Sequence, residues 1–215
     1  MPASIAKARV LSLYKRLHTH YGPQHWWPAG TSWEMMVGAI LTQNTAWTNV
    51  EKAITALKDS QSLSIRAMAR LPRKRLESLI RPSGTFRQKA HRLKLLAQAM
   101  QKDPSLAKSR ERLLTQHGVG HETADSILLY ASGQPIFVVD AYTRRLGRRL
   151  GWFKTDDYHE IQQFFHDRLP RDPALYNEFH ALIVRLSKEI CQSRHPRCGI
   201  CPVKSQCQYG KGRTS

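Results

Sequence analysis

The chain has 215 residues, 41% of them hydrophobic, enough to bury a core and too apolar for a disordered tail. Its 34 Lys and Arg stand against 16 Asp and Glu, a formal net charge of +18, and such an excess on a folded domain points to nucleic acid ahead of anionic membrane or an acidic protein. No apolar run approaches the roughly 18 residues of a membrane span, and the amphipathic start MPASIAKARVLSLYKRL lacks the apolar core and cleavage site of a signal peptide, so a cytoplasmic protein is expected.

Helical periodicity dominates. Residues 4–18 carry Ile5, Val10, Leu11, Leu13, Tyr14 and Leu17 at helical spacing. The segment His25-Trp26-Trp27-Pro28 falls in a loop before the next helix. Thr31 and Glu34 have capping-box spacing ahead of WEMMVGAIL, which predicts a helix over 33–43 ending at Gln43. Residues 45–57 read as another helix, capped by Asn44 or Thr45. Further helices fit 64–70, 73–80, 87–101, 106–116, 122–132, 140–150, 157–168 and 173–190. Pro and Gly punctuate the joins at 22–23, 28–30, 82–84 and 133–135. The one strand-like run, 136–139, has no evident partner and reads as an extended link into the following helix. The expected fold class is all-α, with about ten helices and no internal repeat.

Three stretches carry chemistry. At 109–132 two helices flank HGVGH, where two glycines around one apolar residue allow a tight turn with outward-facing amides. Backed by a helix N-terminus, such a turn grips phosphate without reading sequence, although a plain turn has the same pattern. Twenty residues after Gly120 comes Asp140, opening VVDAYTRRLGRR. Taken alone it suits a helix N-cap. Near the C-terminus all four cysteines fall within seventeen residues, as Cys191-x6-Cys198-x2-Cys201-x5-Cys207. In a reducing compartment that density argues for metal over disulfide. One CxxC with unevenly spaced outer cysteines suits an iron–sulfur cubane better than zinc, which remains the alternative. Arg194, His195, Arg197 and Lys204 make this loop basic.

The ordered motifs from about Trp26 to Cys207 resemble the helix-hairpin-helix DNA glycosylases, the superfamily of endonuclease III, whose cluster loop shares the cysteine spacing. Within it the chain looks closest to the 3-methyladenine DNA glycosylase III group. That likeness rests on WWP (26–28), GAILTQNT (38–45), RPSG (81–84), QKAHRL (88–93), GVGHETAD (118–125), VVDAY (138–142), and Phe179-His180 with Ser187-Lys188. The cysteine loop is a departure from that group. The resemblance implies a six-helix barrel domain (31–139, with the hairpin at 109–132). It also implies a terminal helical lobe (1–30 and 140–215) bearing a [4Fe–4S] loop at 191–207, with a cleft between the two.

It further implies a base excision repair enzyme, Asp140 as the catalytic residue, and Cys191, Cys198, Cys201 and Cys207 as cluster ligands. Trp26, Trp27, Trp47, His180 and Lys188 are the expected base pocket, with His180 and Lys188 eight residues apart on one helix face. Gln43 is expected to fill the gap left by the flipped base. Gly118, Val119, Gly120, Lys89 and Arg144 are expected to touch DNA. Glu122 stands where bifunctional relatives carry the lyase lysine and cannot form its imine. The expectation is a monofunctional glycosylase for alkylated purines, acting as a monomer on damaged duplex DNA in a bacterial cytosol or nucleoid. The alternatives are an endonuclease III-like glycosylase for oxidised pyrimidines and a non-catalytic lesion binder.

Overall fold

A computed structural model describes residues 6–213; Ile5 and the start of the first expected helix lie outside the described residues. The chain divides into two compact units, one of Met1–Trp26 with Pro135–Ser215 and one of Trp27–Gln134. The divides fall at 26/27 and 134/135, where the sequence suggested 30/31 and 139/140. Among the described residues the secondary structure is all-α, as the sequence predicted.

In the second unit the helices are α2 (Ser32–Leu41), α3 (Trp47–Asp59), α4 (Ile65–Arg70), α5 (Arg73–Leu79), α6 (Phe86–Lys102), α7 (Arg110–Leu114) and α8 (His121–Ser126). Each overlaps an expected span, but α2 stops at Leu41, short of Gln43, and α7 covers only part of the expected 106–116, whose first residues lie in a 3-10 turn, Pro104–Lys108. α8 runs on into a π-helical turn, Ile127–Ala131. α2 is buried along nearly its whole length and forms the centre of this unit. Thr31 Oγ1 accepts from the Glu34 amide at 3.1 Å, the first half of a capping box. The second half differs: the buried Glu34 carboxylate accepts from the Gly30 amide at 3.2 Å and pairs with Lys58 at 2.6 Å. The α3 cap also differs from expectation. The helix starts at Trp47 behind Ala46, with no side-chain cap, because the Thr45 hydroxyl is engaged by Lys89 and Ser83.

The other unit holds α1 (Lys7–Tyr21), α9 (Ala141–Leu150), α10 (Tyr158–His166), α11 (Pro173–Glu189) and the short α12 (Gln208–Lys211). Its core is aromatic. Phe137 stacks on Phe165 with centroids 4.0 Å apart, and both contact Phe179 edge-on. This packing fixes the extended run 136–139. The run finds its hydrogen bonds on α10 instead of on a second strand. The Phe137 amide donates to His166 Nε2 at 3.0 Å, Gln162 Nε2 donates to the Phe137 carbonyl at 2.8 Å, and the Val139 amide reaches the Tyr158 hydroxyl at 3.5 Å. A buried backbone must pair its polar groups, and here side chains do so, which fixes where Asp140 begins α9.

Candidate active site

Asp140 is the N-cap of α9. Its Oδ1 accepts from the Thr143 amide at 2.7 Å, and its Oδ2 lies 3.5 Å from His180 Nε2 on α11. The Asp140 side chain is 13% exposed and that of His180 7%. Burial pushes the carboxyl up, but the His180 imidazole and the bond from the Thr143 amide outweigh it. The net position is below the usual carboxylate value, so Asp140 is ionised at neutral pH.

His180 is thus a partner of the carboxylate, a role the sequence did not reveal. Lys188 does not share its surroundings: His180 is buried and Lys188 exposed. Eight residues at 3.6 per turn leave the two about 80° apart around the helix. The Lys188 ammonium lies 6.0 Å from the centre of the Trp26 ring.

In the second unit Trp27 meets Trp47 edge-on at 5.0 Å and Tyr130 at 5.5 Å. Gly38 lets the Trp27 indole lie against α2, since a β-carbon there would sit 3.1 Å from the ring. Tyr130 was not foreseen, because it belongs to the π turn, off the regular helical period.

The hairpin is built as its sequence suggests. Gly118 has φ +77°, a conformation that favours glycine. Gly120 is different: its φ is −93°, and a β-carbon there would meet nothing within 4 Å. Neither conformation nor packing within the fold requires a glycine at 120, and a side chain there would project into open space. Arg110 on α7 and the fully buried Asp125 on α8 tie the two helices together through a two-pronged pair at 2.7 and 3.2 Å. Glu122 is exposed in the first turn of α8. Gln43, just past α2, donates from Nε2 to the Gly118 carbonyl (3.1 Å) and to Thr123 Oγ1 (3.0 Å). Its Oε1 accepts from the Arg92 guanidinium at 2.6 Å.

Lys89 corrects an expectation. It is 1% exposed and reaches no solvent-borne phosphate. Its ammonium donates to the Leu41 carbonyl (2.8 Å), Thr45 Oγ1 (2.7 Å) and the Ser83 carbonyl (2.7 Å). It therefore staples the segment after α2 to the RPSG turn. Burial first, then the nearby Arg92 cation, lowers it to about 8. Arg144 remains half-exposed, donating to the Asp156 carbonyl at 2.9 Å and lying over the Tyr158 ring.

All four cysteines line one cavity, with Leu146, Ile190 and Val203 among its walls. Among the described residues no group of three or more His, Cys, Asp or Glu is arranged to hold a metal ion. Burial pushes the Cys201 thiol up to about 11, and the other three thiols add to this. That thiol stays protonated until a positive metal centre draws the proton off, and four cysteine sulfurs around one cavity are a donor set that fits an iron–sulfur cluster. Arg149 holds the loop around them: it donates to the Cys191 sulfur at 3.1 Å and to the carbonyls of Cys191, Gln192 and Ser193, while stacked on Tyr209.

Residues 37–171 match the family model described as HhH-GPD superfamily base excision DNA repair protein. The chain belongs to the HhH-GPD superfamily. An HhH-GPD relative in Methanocaldococcus jannaschii, provisionally named a DNA repair glycosylase, is 43% identical over 210 residues, 92% of this chain and 95% of that protein. Endonuclease III of Thermotoga maritima is 29% identical over 181 residues, covering 83% and 84%. Among solved structures, the H. pylori 3-methyladenine DNA glycosylase bound to 1,N6-ethenoadenine superposes with a TM-score of 0.78 at 31% identity, over 86% of this chain and 98% of that one. A trapped endonuclease III–DNA covalent intermediate gives 0.86 over 99% and 100% at 21% identity, a likeness of fold alone. Family and relatives together make this HhH-GPD protein a DNA glycosylase, with DNA as its binding partner.

Proposed function

We propose that this HhH-GPD protein is a monofunctional glycosylase that removes alkylated purines of the 3-methyladenine type from duplex DNA and leaves an abasic site. The observation that carries the proposal is the state of Asp140: buried, ionised, one oxygen tied to α9 and the other facing His180. Breaking the bond from C1′ to the base builds positive charge on the sugar, and a fixed carboxylate stabilises it. Water then bonds to C1′ and gives its proton to the carboxylate. A purine methylated at N3 is cationic in the nucleoside and leaves with the bonding pair as a neutral base, so no strong acid is needed.

Two further features support this substrate class. Trp27, Trp47 and Tyr130 form an aromatic cluster, and indole faces attract a cationic base by roughly 0.5–2 kcal/mol per contact. The H. pylori neighbour, at 31% identity, carries a modified purine. Glu122 offers no amine for lyase chemistry. The hairpin supplies Gly118, Val119 and Gly120 as the phosphate grip, with Arg144 as a second backbone contact.

Cys191, Cys198, Cys201 and Cys207 are the ligands proposed for a [4Fe–4S] cluster. When bound, the cluster supplies metal–thiolate links that brace the basic loop; this chain's Arg149 orients the loop from outside. A brown protein with broad visible absorption is expected, and a colourless, zinc-loaded one would refute the assignment. The protein is proposed to act as a monomer, which light scattering would check.

The test of function is a released-base assay over a panel of lesions. Free 3-methyladenine, lost in Asp140→Asn, is expected. Thymine glycol release with strand nicking would favour the second reading, an endonuclease III-like enzyme, which the cysteine loop and the T. maritima relative support. Binding without any released base would sink both. Borohydride trapping on abasic DNA would overturn the monofunctional assignment, with Lys188 the first amine to replace.

A further inference from the structure

Helix α6 turns a second cation, Arg92, beneath the hairpin. Its NH1 donates to Gln43 Oε1 at 2.6 Å. Its stem lies flat against Gly118: a β-carbon at 118 would fall 2.2 Å from Arg92 Nε and 2.3 Å from Cδ. That Nε is buried and has no hydrogen-bond partner among the described residues. Gln43, gripped at its oxygen by Arg92, spends both amide hydrogens on the hairpin, at the Gly118 carbonyl and Thr123 Oγ1. One guanidinium therefore fixes the Gln43 rotamer and backs the turn at once. A Gln at a helix end is ordinarily solvated and free to rotate. Here the acceptor is held by a charge-assisted bond, which is about twice as strong as a neutral one, and the donors are directed as a consequence.

We propose that Arg92 and Gln43 form a latch that holds the hairpin in its phosphate-binding shape, making Arg92 a positioning residue for DNA binding that acts through Gln43. The proposal rests on the DNA-binding role of the hairpin. It also sets a condition on the expected wedge. To enter a gap in the duplex, the Gln43 amide must leave Gly118 and Thr123, so flipping and loosening of the hairpin are coupled. The Arg92 bond to Oε1 need not break for the amide to swing. It is the pivot about which the side chain can exchange one set of acceptors for another.

The experiment is a double-mutant cycle on DNA affinity with Arg92→Met, Gln43→Ala and the pair, read by fluorescence anisotropy on a duplex holding a tetrahydrofuran abasic analogue and on an intact duplex. Methionine keeps the packing against Gly118 and removes the charge. On the intact duplex, where no gap takes up Gln43, each single variant is expected to weaken binding roughly tenfold and the pair no more than either alone; on the abasic duplex Gln43→Ala loses the wedge as well and costs more than Arg92→Met. In the DNA-free protein, hydrogen exchange across residues 116–124 should quicken in both single variants while the other peptides keep their protection. Additive losses would overturn the latch, because Arg92 would then act only as a nearby charge. Affinity within twofold of wild type, or unchanged exchange at the hairpin, would overturn it too. A wild-type protein that binds neither duplex would instead refute the DNA reading, and the latch with it.

Discussion

Replacing Lys89 by methionine tests the buried staple directly. The substitution keeps the aliphatic stem and deletes the ammonium. Two oxygens then lose the donor they have, the Leu41 carbonyl and the Thr45 hydroxyl, while the Ser83 carbonyl keeps the Thr45 hydroxyl as its donor. A buried acceptor left unpaired costs about 1–3 kcal/mol, so the gross loss over the two is about 2–6 kcal/mol. Against this stands relief of a buried charge. A fall of the ammonium from 10.5 to about 8 corresponds to about 3 kcal/mol. The net expectation is destabilisation by about 1 kcal/mol at pH 7, or a melting temperature lower by roughly 2–4 °C for a chain of this size. The sign of the pH dependence follows from the same shift. Because the folded value lies below the unfolded one, the unfolded chain binds more protons between about pH 8 and 10.5. The wild type therefore gains stability through that window and Lys89→Met does not. Thermal unfolding of both proteins from pH 7 to 10 should show a gap that widens with pH. A shift under 2 °C at pH 7, or a gap that narrows, would refute the staple.

Other outcomes follow from the site. Asp140→Asn should keep the α9 cap, since Asn caps as well as Asp, and so melt within about 2 °C of wild type while base release falls by at least about 10³-fold; a large loss of stability would mean that the cap had been misjudged. His180→Ala removes the imidazole that offsets burial of Asp140. The carboxyl should titrate higher, and the acid limb of the rate profile should move to higher pH, where an unmoved limb would show that His180 does not tune it. Asp125→Asn strands Arg110 between the hairpin helices and should cost about 3 kcal/mol, read from urea unfolding; a cost under 1 kcal/mol would remove the pair from the account of hairpin rigidity. Removing the proposed cluster by oxidation should bleach the visible band and raise protease sensitivity between residues 191 and 207, and protection of that loop in colourless protein would count against a bracing role.

Much of the fold was legible because it depends on local signals. Thr31, Ser64, Ser109, Asp157 and Asp172 cap helices with their own side chains, and each lies just before an apolar period. The extended 136–139 run was also legible as partnerless, since four residues with no second run cannot make a sheet. What escaped was where long side chains end. Lys89 and Arg92 stand three apart in QKAHRL; from the sequence Lys89 is expected on DNA and Arg92 has no assigned role. Their roles depend on acceptors 44 to 48 residues away for Lys89 and 49 away for Arg92. No periodicity reports such distances. His180 escaped for the same reason: its partner is 40 residues earlier, at a helix start on another element.

These long-range contacts share a pattern that bears on how a glycosylase of this family stays specific. Net charge supplies affinity for any DNA, and with a charge of +18 affinity alone is not the scarce quantity. What distinguishes a damaged base must act after contact, through groups held in one geometry before the duplex arrives. Lys89, Arg92 and Arg149 are three cations that the fold turns inward or against its own carbonyls, away from phosphate. Lys89 fixes the segment carrying Gln43, Arg92 fixes Gln43 on the hairpin, and Arg149 fixes the cysteine loop. Each surrenders a charge that could bind DNA in order to hold one element of the fold in a single shape. A surface in which these residues faced solvent would bind more tightly and discriminate less, and because the three cations are already engaged within the fold, their loss should leave the salt dependence of binding to either duplex close to that of wild type.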